Sequence, residues 1–305
     1  MDEPETGTDN PEWHIFRKNI ILIIMKNQIV TVLILFLSIS TFAQNDEQIY
    51  LLIRTDDIGS FHAANLACIE TYQNGIAQSV ELMPPCAWFL EATKMLNKNP
   101  GFDVGIHLTL TSEWSNTKWR PLTHCPGLVD EDGYFFPQVW KNNNFPPGSS
   151  IQESDWKLDE IEQELRAQIE VSLKHVPHIS HLSTHMGFNG LDPKIAELVD
   201  KLAKEYNLDV NMEGVGRFRG WNRDDAYEER IDKFCENLEK LTPGKYLYVE
   251  HPGHDVAEMT TVGHKGYENV SLDREWVTRV LTSQKVKETI QKKNVKLISY
   301  KDLEN

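Results

Sequence analysis

Aspartates 56 and 57 are adjacent in Leu51-Leu52-Ile53-Arg54-Thr55-Asp56-Asp57-Ile58-Gly59, where an apolar run of strand character meets two carboxylates and a glycine. Like charges on neighbouring residues repel and raise each other's pKa unless a cation or a set of donors takes one of them up. A bound metal ion is the simplest such partner. An Asx-type turn opening the next helix is the structural alternative. Three histidines stand in equivalent places: His107 near the end of Asp103-Val104-Gly105-Ile106-His107-Leu108, His185 at the end of Ile179-Ser180-His181-Leu182-Ser183-Thr184-His185, and His251 after Tyr246-Leu247-Tyr248-Val249-Glu250. One histidine at a strand end is ordinarily a hydrogen-bonded structural residue. Three of them with an aspartate pair make a set from which metal ligands and proton carriers can be drawn.

Each of these groups follows a short β-prone run, so each projects from the C-terminal end of a strand. Strands are expected near residues 49–54, 77–82, 103–109, 179–184, 209–212, 246–250 and 295–298, most of them separated by helical periodicity. One helix carries Leu158, Ile161, Leu165, Ile169 and Leu173 on a single face, and Leu191-Asp192-Pro193 opens another with Ile195, Leu198, Val199 and Leu202. Such alternation implies a parallel sheet, and in an α/β barrel the strand C-termini share one rim where chemistry sits. Thr111 to Asp155 breaks the rhythm. That interval is rich in Pro, Gly and Asn and carries Trp114, Trp119, Tyr134, Phe135, Phe136 and Trp140. It is expected to be either a substrate-binding excursion or a packed cover over the barrel. Trp114 and Trp119, just after His107-Leu108-Thr109-Leu110, are the candidates for a saccharide platform, with packing as the alternative.

The Asp56-Asp57-Ile58-Gly59 segment, Asn65, Gly75-Ile76-Ala77-Gln78-Ser79, Leu82-Met83, Gly105-Ile106-His107-Leu108, His181 to His185 and His251-Pro252-Gly253 occur in an order that resembles the YdjC-like (ChbG-type) carbohydrate deacetylases. The resemblance runs from about Tyr50 nearly to the C-terminus. It implies an α/β fold, an incomplete or distorted (β/α) barrel of about seven parallel strands, and a deacetylase acting on sugars. The chain departs from the family pattern in three places. Arg54-Thr55 stands where Asn-Ala or similar is usual, and Ile58 where Phe is usual. Leu182-Ser183-Thr184-His185-Met186-Gly187 replaces the usual Leu-Asp-Ser-His-x-His, losing an aspartate and a second histidine.

One carboxylate and two imidazoles leave open positions on a divalent ion, which suits Lewis-acid hydrolysis better than a closed structural site. Asp57, His107 and His185 are the expected ligands. Asp56 is then free to act as the base toward water, and His251, on the other side of the rim, as the acid toward a leaving amine. Glu250 and His254 are close enough in sequence to share that last position. Zinc is the expected ion, with magnesium next because part of the resembling family uses it. The expected substrate is an N-acetylated sugar or oligosaccharide. The alternatives are a metal phosphoesterase or other hydrolase on a similar barrel, and a carbohydrate-binding protein without turnover. Phosphoesterases generally employ more metals and more ligands than these strand ends provide.

The chain before residue 44 reads as an N-terminal extension and signal peptide. Met25-Lys26 precedes an uncharged run to Gln44, apolar from Ile29 to Phe36, and Thr41-Phe42-Ala43 resembles a cleavage site. Met25 is the expected start of translation, export to the periplasm or exterior the expected fate, and an uncleaved segment the expected route to any membrane contact. Residues 44–305 are left as a single domain, long enough for a substantial core. With 46 acidic against 31 basic side chains and net charge -15, nucleic acid is a poor partner. Cys68, Cys86, Cys125 and Cys235 form no Cys-x-x-Cys pair, so a sulfur metal site is not expected. Cys68 and Cys235, on expected helices, are read as buried thiols.

Overall fold

Among the described residues seven strands alternate with helices, and every pairing between those strands is parallel. The computed structural model describes residues 47–303, and the leader expected over residues 1–43 lies outside them. The strands β1 (Ile49–Ile58), β2 (Ser79–Leu82), β3 (Asp103–Leu108), β4 (Ile179–Thr184), β5 (Val215–Arg217) and β6 (Gly244–Glu250) lie in the order β4-β3-β2-β1-β6-β5. A seventh, β7 (Val295–Ile298), pairs with β1 over Ile49 to Leu52, and β2 takes up the pairing from Arg54 onward. Among the described residues no ladder joins β4 to β5. The fold is therefore α/β, a curled parallel sheet that stops short of closing into a barrel.

Side chains along β1 sort by the strand's period of two. Ile49, Leu51 and Ile53 enter the main core, while Leu52 packs with Ile298, Tyr300 and Leu303 in a small separate cluster. The helices are α1 (His62–Gln73), α2 (Phe89–Asn97), α3 (Leu158–His175), α4 (Pro193–Glu205), α5 (Arg230–Glu239), α6 (Val270–Thr282) and α7 (Gln284–Lys292). α3 buries Ile161, Leu165 and Ile169, with Leu158 and Leu173 partly covered. α4 starts where Asp192 accepts the Lys194 N–H and Pro193 supplies a preset φ, and it buries Ile195, Leu198, Val199 and Leu202.

Two expectations about the strands need correction. Residues 209–212 form no strand: Val210 and Met212 pack against the small cluster from irregular backbone, and the ladder to β6 is made by Val215, Gly216 and Arg217 instead. An alternating apolar pattern reports burial on one side, which a loop satisfies as well as a strand. The first strand also runs past the aspartate pair to Ile58 rather than stopping before it. The excursion from Thr111 to Asp155 contains two short 3-10 turns, Pro126–Leu128 and Ile151–Glu153, and buries Trp114, Trp119, Leu128, Phe135, Val139 and Ile151. It is a packed cover. Cys68 and Cys235 lie on α1 and α5, and all four thiols are free and buried.

Candidate metal centre and active site

Neighbouring residues of a regular strand face opposite ways, so Asp56 and Asp57 could not both serve one site from unbroken β1. The β1–β2 register slips between Thr55 and Ile58, and Asp57 adopts φ +74. A bulge re-aims a side chain, and aspartate tolerates the left-handed region better than most residues. Both carboxylates consequently come within 3.7 Å of His107 Nε2. The chain then turns sharply: the Ser60 N–H donates to the Asp57 carbonyl at 3.1 Å, and the Gly59 N–H to Asn65 Oδ1 at 2.6 Å. Gly59 has φ +104, and a Cβ there would stand 3.0 Å from the Met83 carbonyl, so only glycine makes this turn without strain.

Asp57, His107 and His185 each offer a ligand atom within 4.8 Å of the other two, and all three residues are buried. Asp57 Oδ1 lies 3.7 Å from His107 Nε2 and 3.6 Å from His185 Nδ1. Ligands about 2.1 Å from a tetrahedral ion stand about 3.4 Å from one another, so the spacing suits a small divalent cation. The donor set fits as well. Asp57 Oδ1 is buried without a hydrogen-bond partner, a costly state for a carboxylate oxygen unless a cation meets it.

Each aspartate is tied back by its own arginine. Arg274, on α6 and 3% exposed, donates to Asp57 Oδ2 at 2.6 Å, which leaves Oδ1 directed at the histidines. Burial alone would push the Asp57 carboxyl up, but Arg274, with His251 and His185, holds it well below the usual carboxylate range. Arg54 grips Asp56 at both oxygens, 2.7 Å from Nη2 to Oδ2 and 2.7 Å from Nε to Oδ1. Asp56 Oδ2 also faces His107 Nε2 at 3.7 Å and His251 Nε2 at 4.0 Å.

The tautomer of His107 is set from behind. Its Nδ1 lies 2.7 Å from Ser183 Oγ, and that hydroxyl donates its only hydrogen to Glu81 Oε2. Ser183 can therefore only accept from His107, which places the proton on Nδ1 and the lone pair of Nε2 toward Asp57. Burial lowers the His107 pKa well below its ordinary value, as does nearby His185, so the ring stays neutral, as a ligand must. Burial would raise the Glu81 carboxyl, yet His181, whose Nε2 is 2.6 Å from Oε1, and Arg54 bring it below its usual range. Glu81, Gly105 and His181 are register partners across β2, β3 and β4. A Cβ on Gly105 would lie 2.5 Å from both Glu81 Oε2 and His181 Nε2, so the glycine makes the room this network occupies.

His185 offers the opposite nitrogen: Nδ1 faces Asp57, while Nε2 lies 3.7 Å from Glu113 Oε2. Burial, with Asp57 nearby, raises the Glu113 carboxyl. His251 follows β6, so it stands across β1 from β3 and β4. Burial would lower its pKa, but Asp57, Glu250 and Asp56 outweigh that and push it up to about 9.

The structure does not present Trp114 and Trp119 as a platform. Trp114 is 1% exposed and Trp119 6%. The Trp114 ring lies under the Arg274 guanidinium at 5.4 Å and stacks on His264 at 5.9 Å, and Trp119 Nε1 donates to the Thr111 carbonyl at 2.8 Å. Proximity to the metal ligands in sequence brought them to the rim, but the excursion has to bury its own apolar side, and these rings supply it. Arg274, Arg54, Glu81, Ser183 and Glu113 had no role in the sequence reading. Two of them carried a signal: Arg54 and Glu81 are charges inside strands that are otherwise buried, a placement that requires a partner.

With that geometry in place, comparison with known proteins is decisive at the level of family. The profile of the YdjC-like protein family matches residues 50–292. The chain belongs to the YdjC-like family. A carbohydrate deacetylase of Clostridium beijerinckii is 28% identical over 263 residues, covering 83% of this chain and 99% of that one. A carbohydrate deacetylase of Thermus thermophilus is 34% identical over 228 residues, 66% of this chain and 76% of its own. The crystal structure of an Enterococcus faecalis protein provisionally assigned to cellobiose-phosphate cleavage superposes with a TM-score of 0.66 at 23% identity, covering 84% of this chain and 99% of that chain. At that identity the likeness bears on the fold alone. Within the family pattern Ser183 stands where an aspartate is usual, and here a carboxylate reaches the site through it, from Glu81 on β2.

Proposed function

We propose that this chain is an exported, metal-dependent hydrolase that removes the N-acetyl group from an amino sugar or short oligosaccharide. The observation that carries the reading is the convergence of Asp57 Oδ1, His107 Nε2 and His185 Nδ1, with Asp56 and His251 beside them at one rim. The names of the relatives from Clostridium beijerinckii and Thermus thermophilus support the substrate class. Asp57, His107 and His185 would hold the ion. Two neutral imidazoles and one carboxylate suit zinc first and magnesium second. When bound, such an ion supplies Lewis acidity, polarising an acetamide carbonyl and acidifying a water.

The remaining work falls to the chain's own groups. Asp56, held by Arg54, presents Oδ2 toward the centre and takes a proton from the attacking water. His251, raised to about 9, carries its proton at neutral pH and delivers it to the amide nitrogen, a very poor leaving group until protonated. Acetate and the free amine are the products. Arg274 keeps Asp57 ionised and oriented, and Trp114 backs the guanidinium.

The test is acetate release from a panel of N-acetylated mono- and oligosaccharides, with and without added zinc or magnesium. No release by metal-loaded protein on any member would overturn the proposal. Export rests on the residue pattern from Met25 to Gln44, and N-terminal sequencing of protein recovered outside the cytoplasm should begin at Gln44.

A further inference from the structure

A cleft of about 700 Å3 opens beside the candidate active site, between residues 221–230 and 264–273. Its wall includes Glu250, whose Oε2 lies 3.8 Å from His251 Nδ1, so the cleft begins next to the proposed acid. Trp221, Tyr227 and Tyr267 stand half-buried in the wall. Their arrangement is braced from inside: Arg230 lies 5.1 Å from the Trp221 ring and 4.4 Å from the Tyr227 ring, and pairs with Asp273 at 2.6 Å. That pairing neutralises one of the two guanidiniums lining the cleft. The other, Arg223, donates to the Gly266 carbonyl at 3.4 Å and shares the lining with Asp225, Glu250 and Glu268, so four carboxylates line the cleft against two guanidiniums.

We propose that this cleft is the subsite for the sugar adjoining the one that reacts, and that it selects an unphosphorylated amino-sugar oligomer, best with a free amine on that second sugar. The proposal rests on the deacetylase reading and names its substrate more narrowly. Aromatic rings give the apolar faces of a sugar a broad contact, while the acidic surround repels a phosphate or uronate and favours an ammonium group. Rejection of the wrong substrate comes from this repulsion as much as from contact with the right one. Trp114 and Trp119 take no part, being packed under the rim.

The experiment compares kcat/KM for acetate release by the metal-loaded full chain on four probes. These are N-acetylglucosamine, its di-N-acetylated disaccharide, the disaccharide acetylated only on the reacting sugar, and the disaccharide phosphorylated on the non-reacting sugar. The disaccharides should exceed the monosaccharide, the mono-acetylated one most, and the phosphorylated probe should fall about tenfold or more below them. Tyr227→Ala and Trp221→Ala should each shrink the advantage of disaccharide over monosaccharide by about tenfold. Glu268→Lys, at an exposed position whose carboxylate accepts the Gly266 N–H at 2.8 Å, should restore part of the activity on the phosphorylated probe. An unchanged disaccharide advantage in both aromatic variants, or a phosphorylated probe turned over as well as the others, would overturn the subsite. Calorimetric binding of the disaccharide separates this from the underlying reading. Binding that weakens in Tyr227→Ala with no acetate released from any probe would sink the hydrolase and keep the cleft as a sugar site.

Discussion

Ser183→Ala is the sharpest test of how the metal ligands are oriented. The hydroxyl accepts from His107 Nδ1 at 2.7 Å and passes its own hydrogen to Glu81, a carboxylate that is 0% exposed. Without it the His107 N–H loses its acceptor and Glu81 loses a donor. An unmet buried polar group costs about 1–3 kcal/mol, and a lost partner behind a metal-bound histidine typically costs about 10- to 100-fold in metal affinity. Zinc binding measured by calorimetry on Ser183→Ala should therefore weaken by about 10- to 100-fold, and Ser183→Thr, which keeps the oxygen, should stay close to the native value. Wild-type affinity in Ser183→Ala, or equal loss in both variants, would refute the relay from Glu81 through Ser183 to His107.

Asp57→Asn and Asp56→Asn should both destabilise the fold, by about 3–5 kcal/mol, because each leaves a largely buried arginine without its carboxylate. Only Asp57→Asn should lose metal, read by elemental analysis, whereas Asp56→Asn should keep the metal and lose turnover; equal metal loss would end that division of labour. His251 has a folded-state pKa of about 9, above its ordinary value of about 6.5, so its contribution to stability is complete below pH 6.5 and is lost as pH rises through 9. Thermal melts of chelator-treated protein should show that decline, and His251→Gln should abolish it; a flat profile for the native chain would contradict the assignment. Trp114→Ala should cost about 3–5 kcal/mol in chemical denaturation, as expected for a large ring removed from a core, and a loss below about 1 kcal/mol would revive a surface role for it.

Much of the fold was legible because its signals are local. Six of the seven expected strands coincide with or overlap observed ones, and the face of α3 was written in the spacing of Ile161, Leu165 and Ile169. The candidate site was legible in the same way. Strand C-termini share a rim in this class of sheet, so placing Asp57, His107, His185 and His251 at strand ends was enough to predict that they meet. The strand assigned to 209–212 failed because alternation marks one-sided burial, whatever the backbone does.

The chain's local pattern thus determined its class, its order of elements and which residues gather at one rim. Tertiary structure alone decided what each of them faces. Arg274 follows Val270 and precedes Val277 and Leu281 at helical spacing on the buried face of α6, which demands a partner without naming one. Its partner, Asp57, is 217 residues away. Glu81 and His181 are joined only because Gly105 lies between them in register, and Trp114 is a floor beneath Arg274 instead of a surface for a sugar. Each of these outcomes depends on a pairing across the sheet or between distant elements. Such pairings are set by the packing of the whole domain, where burying an apolar ring or neutralising a buried charge outweighs what neighbouring residues in the chain prefer.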